Sequence, residues 1–239
     1  MNLLAFETAT EACSVAVSVD GRVLERFAIA PRRHAELALP WAGELLAEAG
    51  ITRTQLDAVA VGRGPGAFTG VRLGIGIAQG IALALDRPVV ALSTLAVLAA
   101  GGAWADGADA RDEGRRVIAA IDARMGEVYL GAFHCLPWEA QALGPEAVLR
   151  PQDADIPPDR GWLGVGTGWS AAGSSLQLRL QHALGRVDAQ ALPHAGDLAR
   201  LAAPALARGE GTSAERIEPA YLRNQVALTL AQQRKLQES

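Results

Sequence analysis

The segment from Gly62 to Gly80 constrains the fold of this chain more than any other stretch. It reads GRGPGAFTGVRLGIGIAQG, a Gly/Pro-rich loop that runs into a predicted helix over residues 69–85, with Thr69 as the expected N-cap. Inside that helix, where each glycine costs roughly 1 kcal/mol relative to alanine, lie Gly70, Gly74, Gly76 and Gly80. The first two and the last two are each four residues apart, so each pair should open a notch free of side chains. The spacing predicts a helix that another helix or backbone can approach closely.

The glycine-rich loop before this helix allows two interpretations. Its glycines follow a predicted buried strand and permit a tight turn with positive φ at Gly62, Gly64 and Gly66. A phosphate resting on the helix start near Thr69 and Gly70 is the alternative, because helix N-termini attract anions. A Walker A loop is excluded because it needs a lysine after the glycines, and the chain's only lysine is Lys235.

The order of predicted elements indicates an α/β protein. Three strands are predicted at 2–7, 13–19 and 22–30, the last two joined by a hairpin at Asp20-Gly21. An amphipathic helix follows at 34–49, which Pro40 either begins or kinks. The remaining elements of this half are a strand at 56–62, the glycine-containing helix, a strand at 87–92 and a helix from Ser93 or Thr94. This order is that of the ribonuclease H-like fold.

The second half predicts a smaller unit of the same kind. A polar linker at 106–115 precedes two strands, RVIAAID and EVYLGAF, and the proline-rich stretch that follows is loop-rich. Further elements are strands at AVLR and within GWLGVGTGW, a helix at 196–209 bent at Pro204, and a polar tail after Tyr221 that should fray. We predict one domain from residues 1–105 plus about 195–239, and a reduced second domain from about 106–194.

Composition narrows the function classes. Net charge is −4 and no dense basic run occurs, so we do not expect the chain to bind nucleic acid by itself. Cys13 and Cys135 are isolated and indicate reduced core residues of a cytosolic protein. The amino terminus lacks the basic region of a signal peptide, and the uncharged run 88–105 is better read as a buried strand and helix than as a membrane span. These features predict a cytoplasmic protein with no membrane contact.

Candidate catalytic residues are few. Glu7 and Asp122 end the first predicted strand of each half, where a pair of carboxylates facing a cleft would suit Mg-nucleotide chemistry. The alternative is that each caps a turn. The four histidines form no zinc-binding spacing, and no GxSxG motif occurs. We therefore predict no catalytic residue, no metal and no cofactor.

Several segments together resemble the bacterial TsaB (YeaZ) family. The matching segments are FETATEACSVAV, RRHAELALP, AVGRGPGAFTGVRLGIGIAQGIAL, PVVALSTL, IDARMGEVYLGAF and EPAYLRN, and the resemblance is weakest over about 136–195. It implies two ribonuclease H-like domains of the actin-like ATPase superfold, the second reduced. It also implies a non-catalytic paralogue of the transferase TsaD, whose HxxxH metal motif corresponds here to Thr94 and Leu98.

The resemblance further implies partners. In the family, the helices that here cover 34–49 and 69–85 pack against TsaD or a second TsaB copy, and TsaE joins in a ternary complex. That complex transfers a threonylcarbamoyl group to adenosine 37 of tRNAs that decode ANN codons, so tRNA would be reached only indirectly. Combined with the glycine notches, the resemblance gives the expected partner-binding residues His34, Leu37, Trp41, Leu45, Thr69, Gly70, Leu73, Gly74, Gly76, Ile77 and Gly80.

Other function classes stay open at this point. A small-molecule kinase or ATPase of the same superfold would place Glu7, Asp122 and the GVGTGW turn around Mg-ATP. A peptidase lacks both metal ligands and a nucleophile–base pair. Whether the free chain is a monomer or a homodimer also stays open, although an apolar face of this kind favours weak self-association.

Overall fold

The amino-terminal half builds a five-stranded sheet in the computed structural model, which describes residues 1–106, 114–155 and 157–223. Its strands are β1 (Asn2–Glu7), β2 (Ala12–Val19), β3 (Arg22–Ile29), β4 (Ala58–Gly62) and β5 (Val89–Leu92). The order is β3-β2-β1-β4-β5, with β1 antiparallel to β2 and parallel to β4. Asp20 and Gly21 both have positive φ between β2 and β3, which confirms the predicted hairpin.

Three helices follow these strands. They are α1 (His34–Glu48), α2 (Phe68–Leu85) and α3 (Thr94–Ala105). The first two share an apolar core with one face of the sheet, whereas α3 packs against the opposite face. Ser93 caps α3 through its hydroxyl, which accepts the Leu95 and Ala96 amides. Pro40 lies inside α1 and does not begin it.

The second half builds a six-stranded sheet. Its strands are β6 (Arg115–Arg124), β7 (Glu127–Leu136), β8 (Glu139–Ala142), β9 (Ala147–Leu149), β10 (Trp162–Val165) and β11 (Leu184–Asp188). The order is β11-β10-β6-β7-β8, and β9 pairs with β7. One face packs on α3, which therefore lies between the two sheets, and the other on α4 (Ala171–Leu180). The sheets confirm the predicted pair of ribonuclease H-like domains; the exact boundaries stay a prediction.

The chain returns to the first sheet through α5 (Ala195–Ala207), which packs on the same face as α3. A polar cluster holds this return in place. The Glu25 carboxylate accepts hydrogen bonds from the Ser14 hydroxyl and the Gly196 amide, and it pairs with His194 Nδ1 at 3.2 Å. The His194 ring also stacks on Phe27, with ring centroids 4.1 Å apart.

This cluster predicts a specific pH dependence. The Glu25 hydrogen bond raises the pKa of His194, which stabilises the fold below the unfolded value of about 6.5 and is lost as pH rises through the raised pKa. Burial acts to raise the pKa of Glu25, but hydrogen bonds from His194, Ser14 and the Gly196 amide lower this pKa overall. The contribution of Glu25 to stability is therefore lost only as pH falls through its lowered pKa. We expect His194→Ala to cost a few tenths of a kcal/mol near pH 6, since the pair is partly exposed, and less near pH 9. Melting curves against the exposed His182→Ala control measure this; equal losses at both pH values would contradict it.

Candidate docking face and interdomain cleft

The four glycines of α2 divide into two pairs with different surroundings. A Cβ on Gly70 would lie 2.1 Å from the Thr8 carbonyl oxygen, and one on Gly74 would lie 2.6 Å from the Thr8 hydroxyl. That hydroxyl donates a 2.8 Å hydrogen bond to the Gly70 carbonyl. By contrast, a Cβ on Gly76 or Gly80 would meet nothing within 4 Å. The first pair lets α2 approach the β1–β2 turn of its own domain, and only the second leaves an open notch.

The outward side of α2 is apolar. Leu83 is 55% exposed and Phe68 is 67% exposed, on either side of the Gly76–Gly80 notch along the helix. On the neighbouring helix α1, Leu39 is 54% exposed. Leu73 and Ile77 are half-buried beside the notch. We call the surface formed by Leu39, Leu73, Gly76, Ile77, Gly80 and Leu83 the docking face; exposed apolar areas of this kind mark interaction sites.

Helix α2 is also long and apolar enough to cross a membrane by length and composition alone, with a mean hydropathy of 1.5. Only a third of that window is buried. Because α2 forms one layer over the first sheet, this hydropathy is weak evidence for a span. It reflects an apolar helix with an exposed side.

Four of the expected partner-binding residues are buried within the chain, so they are not part of its exposed surface, and their role in partner binding stays a prediction. Leu45 is fully buried in the core beneath α1, and the His34 ring contacts the Thr10 and Ala12 carbonyl oxygens. Gly70 and Gly74 are buried against Thr8. Of these four positions, His34 and Gly70 line the cleft between the two domains, whereas Leu45 and Gly74 do not.

The expected helix cap needs correction, and two of the expected residues on α1 prove to be half-buried. Thr69 is exposed but does not cap α2, which begins at Phe68 with Ala67 as the N-cap and no side-chain cap bond. Leu37 and Trp41 are half-buried and pack on the domain's own core, as Ile77 of the docking face also does. They share an i, i+4, i+7 stripe with Glu44, whose carboxylate lies 3.9 Å from Arg26 on β3, so this stripe faces β3. Sequence reasoning took the core stripe of α1 for its external one.

The sequence analysis missed the exposed leucines. Leu39 and Leu83 lie outside the stripes used to predict the interface, and Phe68 was placed in the loop before the helix. The spacing of polar residues could have identified Leu39 as external. The glutamates that bind β3 mark the side of α1 that faces β3, and Leu39 lies on a different side. On α2 the polar residues Arg72 and Gln79 mark the side that contacts the segment after α5.

A cleft of about 1320 Å³ lies between the two domains. The start of α2 and residues Ile121–Arg124 line opposite sides of it. Asp122 reaches this cleft, where its carboxylate pairs with the Arg124 guanidinium at 2.9 Å and its amide donates to the Thr167 hydroxyl. The cleft has the position that a ligand site between two such domains would have.

Glu7 does not reach the cleft. It is 1% exposed, and its carboxylate accepts hydrogen bonds from the Ala9 amide and the Thr94 hydroxyl. A Cβ on Gly62 would lie 1.9 Å from Glu7 Oε2, so only glycine at that position leaves room for the carboxyl group. Burial raises the pKa of Glu7 to about 7. Of the two interpretations, a carboxylate pair around Mg-ATP or a turn cap, Glu7 fits the turn cap, because its carboxyl group lies inside the first domain and accepts the Ala9 amide.

The glycine-rich loop favours the steric interpretation over the phosphate-binding one. Of the three glycines expected to have positive φ, only Gly64 does, with φ +88°; the expectation is wrong for Gly62 and Gly66, where close packing is what requires glycine. The Gly64 amide donates to the Thr94 hydroxyl. At Gly66, a Cβ would lie 2.2 Å from the Ala9 carbonyl oxygen. Among the described residues, no group of three or more His, Cys, Asp or Glu side chains could hold a metal ion.

Two stacked ribonuclease H-like domains, with a cleft between them and an apolar helix face on the first, define a protein of the actin-like ATPase superfold. Residues 28–229 match the family model of TsaD, tRNA N6-adenosine threonylcarbamoyltransferase. The tRNA threonylcarbamoyladenosine biosynthesis protein TsaB of Escherichia coli (strain K12) is 42% identical over 95% of this chain and 96% of its own length. Its namesake in Haemophilus influenzae is 38% identical over 95% of each chain. The solved structure of YeaZ from Pseudomonas aeruginosa matches with a TM-score of 0.84 and 48% identity, over 92% of this chain and 99% of that one.

The chain therefore belongs to the TsaB (YeaZ) family. This confirms the resemblance drawn from its motifs.

Proposed function

We propose that this chain acts in the biosynthesis of tRNA threonylcarbamoyladenosine as a non-catalytic subunit. It docks on the transferase TsaD, with TsaE in a ternary complex, and so supports threonylcarbamoyl transfer to adenosine 37 of tRNAs that decode ANN codons. The observation that carries this proposal is the open Gly76–Gly80 notch within an exposed apolar helix face. A partner helix can lie against the backbone there at a distance that no side chain blocks.

The environment of two positions supports the non-catalytic role. Thr94 and Leu98, which correspond to the metal-binding histidines of TsaD, are both buried. The Thr94 hydroxyl links Glu7 to the Gly64 amide, and Leu98 packs in the core between α3 and the second sheet. Both side chains therefore serve the internal structure of this domain.

The charge of the chain supports an indirect relation to tRNA. With a net charge of −4, it lacks the basic footprint that binding to phosphates requires, so tRNA should be recruited by the other subunits. The site of action that follows is the cytoplasm, where such a complex meets tRNA.

The direct test is size-exclusion chromatography with light scattering of this chain, alone and mixed with TsaD from the same organism. We expect a complex with TsaD, and we expect Leu83→Glu to weaken it at least tenfold because the charge would be buried in an apolar contact. Leu143→Glu is the matched control, since Leu143 is 52% exposed on the second domain. If both variants bind TsaD as the wild type does, the docking face is not the contact surface.

A further inference from the structure

The segment after α5 runs along the first domain and is anchored there at several points. Thr212 pairs with Val89 at the edge of the first sheet. The Gln79 side-chain amide on α2 donates to the Ala214 carbonyl at 2.8 Å, and Ile217 is buried in the core below α1 and α2. The Ala220 amide then donates to the Arg63 carbonyl at 2.8 Å. These contacts fix the segment up to Ala220.

The next residue stacks on the start of α2. The Arg72 guanidinium lies 3.2 Å from the centre of the Phe68 ring and 5.2 Å from the centre of the Tyr221 ring. It also donates a hydrogen bond to the Tyr221 hydroxyl. Because the Arg72 guanidinium stacks on both rings and also donates a hydrogen bond to Tyr221, it holds Phe68 and Tyr221 in one arrangement.

Two residues later the segment reaches the second domain. The Arg223 guanidinium donates to the Ala123 carbonyl at 3.1 Å and to the Glu127 carboxylate. Ala123 lies near the end of β6, and Glu127 begins β7. Both charged side chains are partly shielded, with 23% and 31% of their surface exposed. A charge-assisted pair with a second acceptor is stronger than an isolated surface ion pair.

Residues 219–223 also line the cleft, together with the start of α2 on one side and the end of β6 on the other. The two domains are joined through α3, which packs on both sheets, and rotation of the domains about this joint would open or close the cleft. A segment anchored on one domain and tied by Arg223 to the other opposes that motion at the cleft.

We propose that Pro219–Arg223 is a strap that holds the two domains at one fixed separation across the cleft, with no ligand required. Arg223 is its tie to the second domain, and the Arg72–Tyr221 stack anchors it on the first. This inference concerns the isolated chain and does not depend on which partner the docking face binds.

Distance measurement between spin labels in the full-length chain tests the strap. Glu36→Cys on α1 and Met125→Cys on the β6–β7 turn place labels on exposed positions of the two domains, while Cys13 and Cys135 are buried and should stay unlabelled. The strapped protein should give one narrow distance distribution. Arg223→Ala and Glu127→Gln should each increase a second, wider-spaced population, by about tenfold for Arg223→Ala, because both remove the Arg223–Glu127 ion pair and Arg223→Ala also removes the bond to the Ala123 carbonyl.

The design includes a coupling test and a control. Since Glu127→Gln removes only part of what Arg223→Ala removes, the double variant should open the cleft no further than Arg223→Ala alone. Arg216→Ala removes an exposed arginine of the same segment and should leave the distribution narrow. A wild-type distribution in both Arg223→Ala and Glu127→Gln, or effects that add in the double variant, would overturn the strap.

Discussion

Gly80→Leu is expected to abolish docking on TsaD while making the isolated chain more stable. A Cβ at position 80 meets nothing within 4 Å, so a leucine side chain projects from α2 into the space that a partner helix must occupy. The affinity should fall by about 100-fold or more, as for the loss of a central interface contact. Leucine is a far better helix former than glycine, so the free energy of unfolding should rise by up to about 1 kcal/mol.

The opposite result is expected at the other glycine pair. Gly70→Ala adds only a Cβ, but that atom would lie 2.1 Å from a backbone oxygen of the same domain. The strand–helix contact must shift, which should cost about 1–3 kcal/mol of stability. Chemical denaturation and titration with TsaD separate the two variants, because stability and affinity change in different combinations. Gly80→Leu that binds TsaD with wild-type affinity would remove the main support for the proposed function.

The sequence predicted the α2 helix and showed that its four glycines are unusual. It did not show that one glycine pair contacts the protein's own domain while the other is open. Two residues of an α-helix turn it by about 200°, so Gly74 and Gly76 lie on nearly opposite sides. The two notches could therefore never belong to one surface. Which of them faces the protein depends on Thr8, a residue more than 60 positions away along the chain whose contact with α2 no local pattern records.

On α1, too, the sequence did not separate core residues from external ones. A helix that covers a sheet uses its continuous apolar stripe for its own core, and in this chain that stripe contains Leu45 and, at its edge, Trp41. The external surface is what remains, here Leu39. When only one sequence is available, the most continuous apolar stripe of a helix is chosen as the interface. In a helix that covers a sheet, that stripe is the buried one.

Most elements of the first domain were predicted because their strands are buried and their turns carry strong signals. The elements missed in the second domain are of another kind. β8 and β11 are short, largely unburied strands at the two edges of the sheet, and α4 contains positive φ at Ala172, Gly173 and Ser174. Such elements form because the rest of the sheet supports them. The residues within them therefore predict a strand or a helix only weakly. The predicted linker at 106–115 and the tail after Tyr221 lie mostly outside the described residues.

Glu7→Gln is expected to stabilise the protein at neutral and alkaline pH and to leave its stability almost unchanged at acid pH. Glu7 has a pKa of about 7 in the folded protein, compared with 4.5 for an ordinary glutamate. Below pH 4.5 both states hold the proton, and above pH 7 neither does. Between these values the unfolded chain releases the proton first, so the folded state loses stability as pH rises. A difference of about 2.5 pKa units corresponds to roughly 3 kcal/mol.

Glutamine cannot ionise, but it keeps a carbonyl oxygen that can accept from the Ala9 amide or the Thr94 hydroxyl. The gain in the free energy of unfolding at pH 8 should therefore approach about 3 kcal/mol, reduced by the cost of the altered hydrogen bond. Urea unfolding of both proteins from pH 4.5 to 8.5 measures the difference, in which all other titrating groups cancel. Glu11→Gln, which removes a partly exposed carboxyl group from the same turn, is the control. A Glu7→Gln effect of equal size at pH 5 and pH 8 would contradict this prediction, because it would mean that Glu7 is already ionised throughout this range. A carboxylate, and not a carboxylic acid, would then join β1 to Thr94 and to the loop before α2.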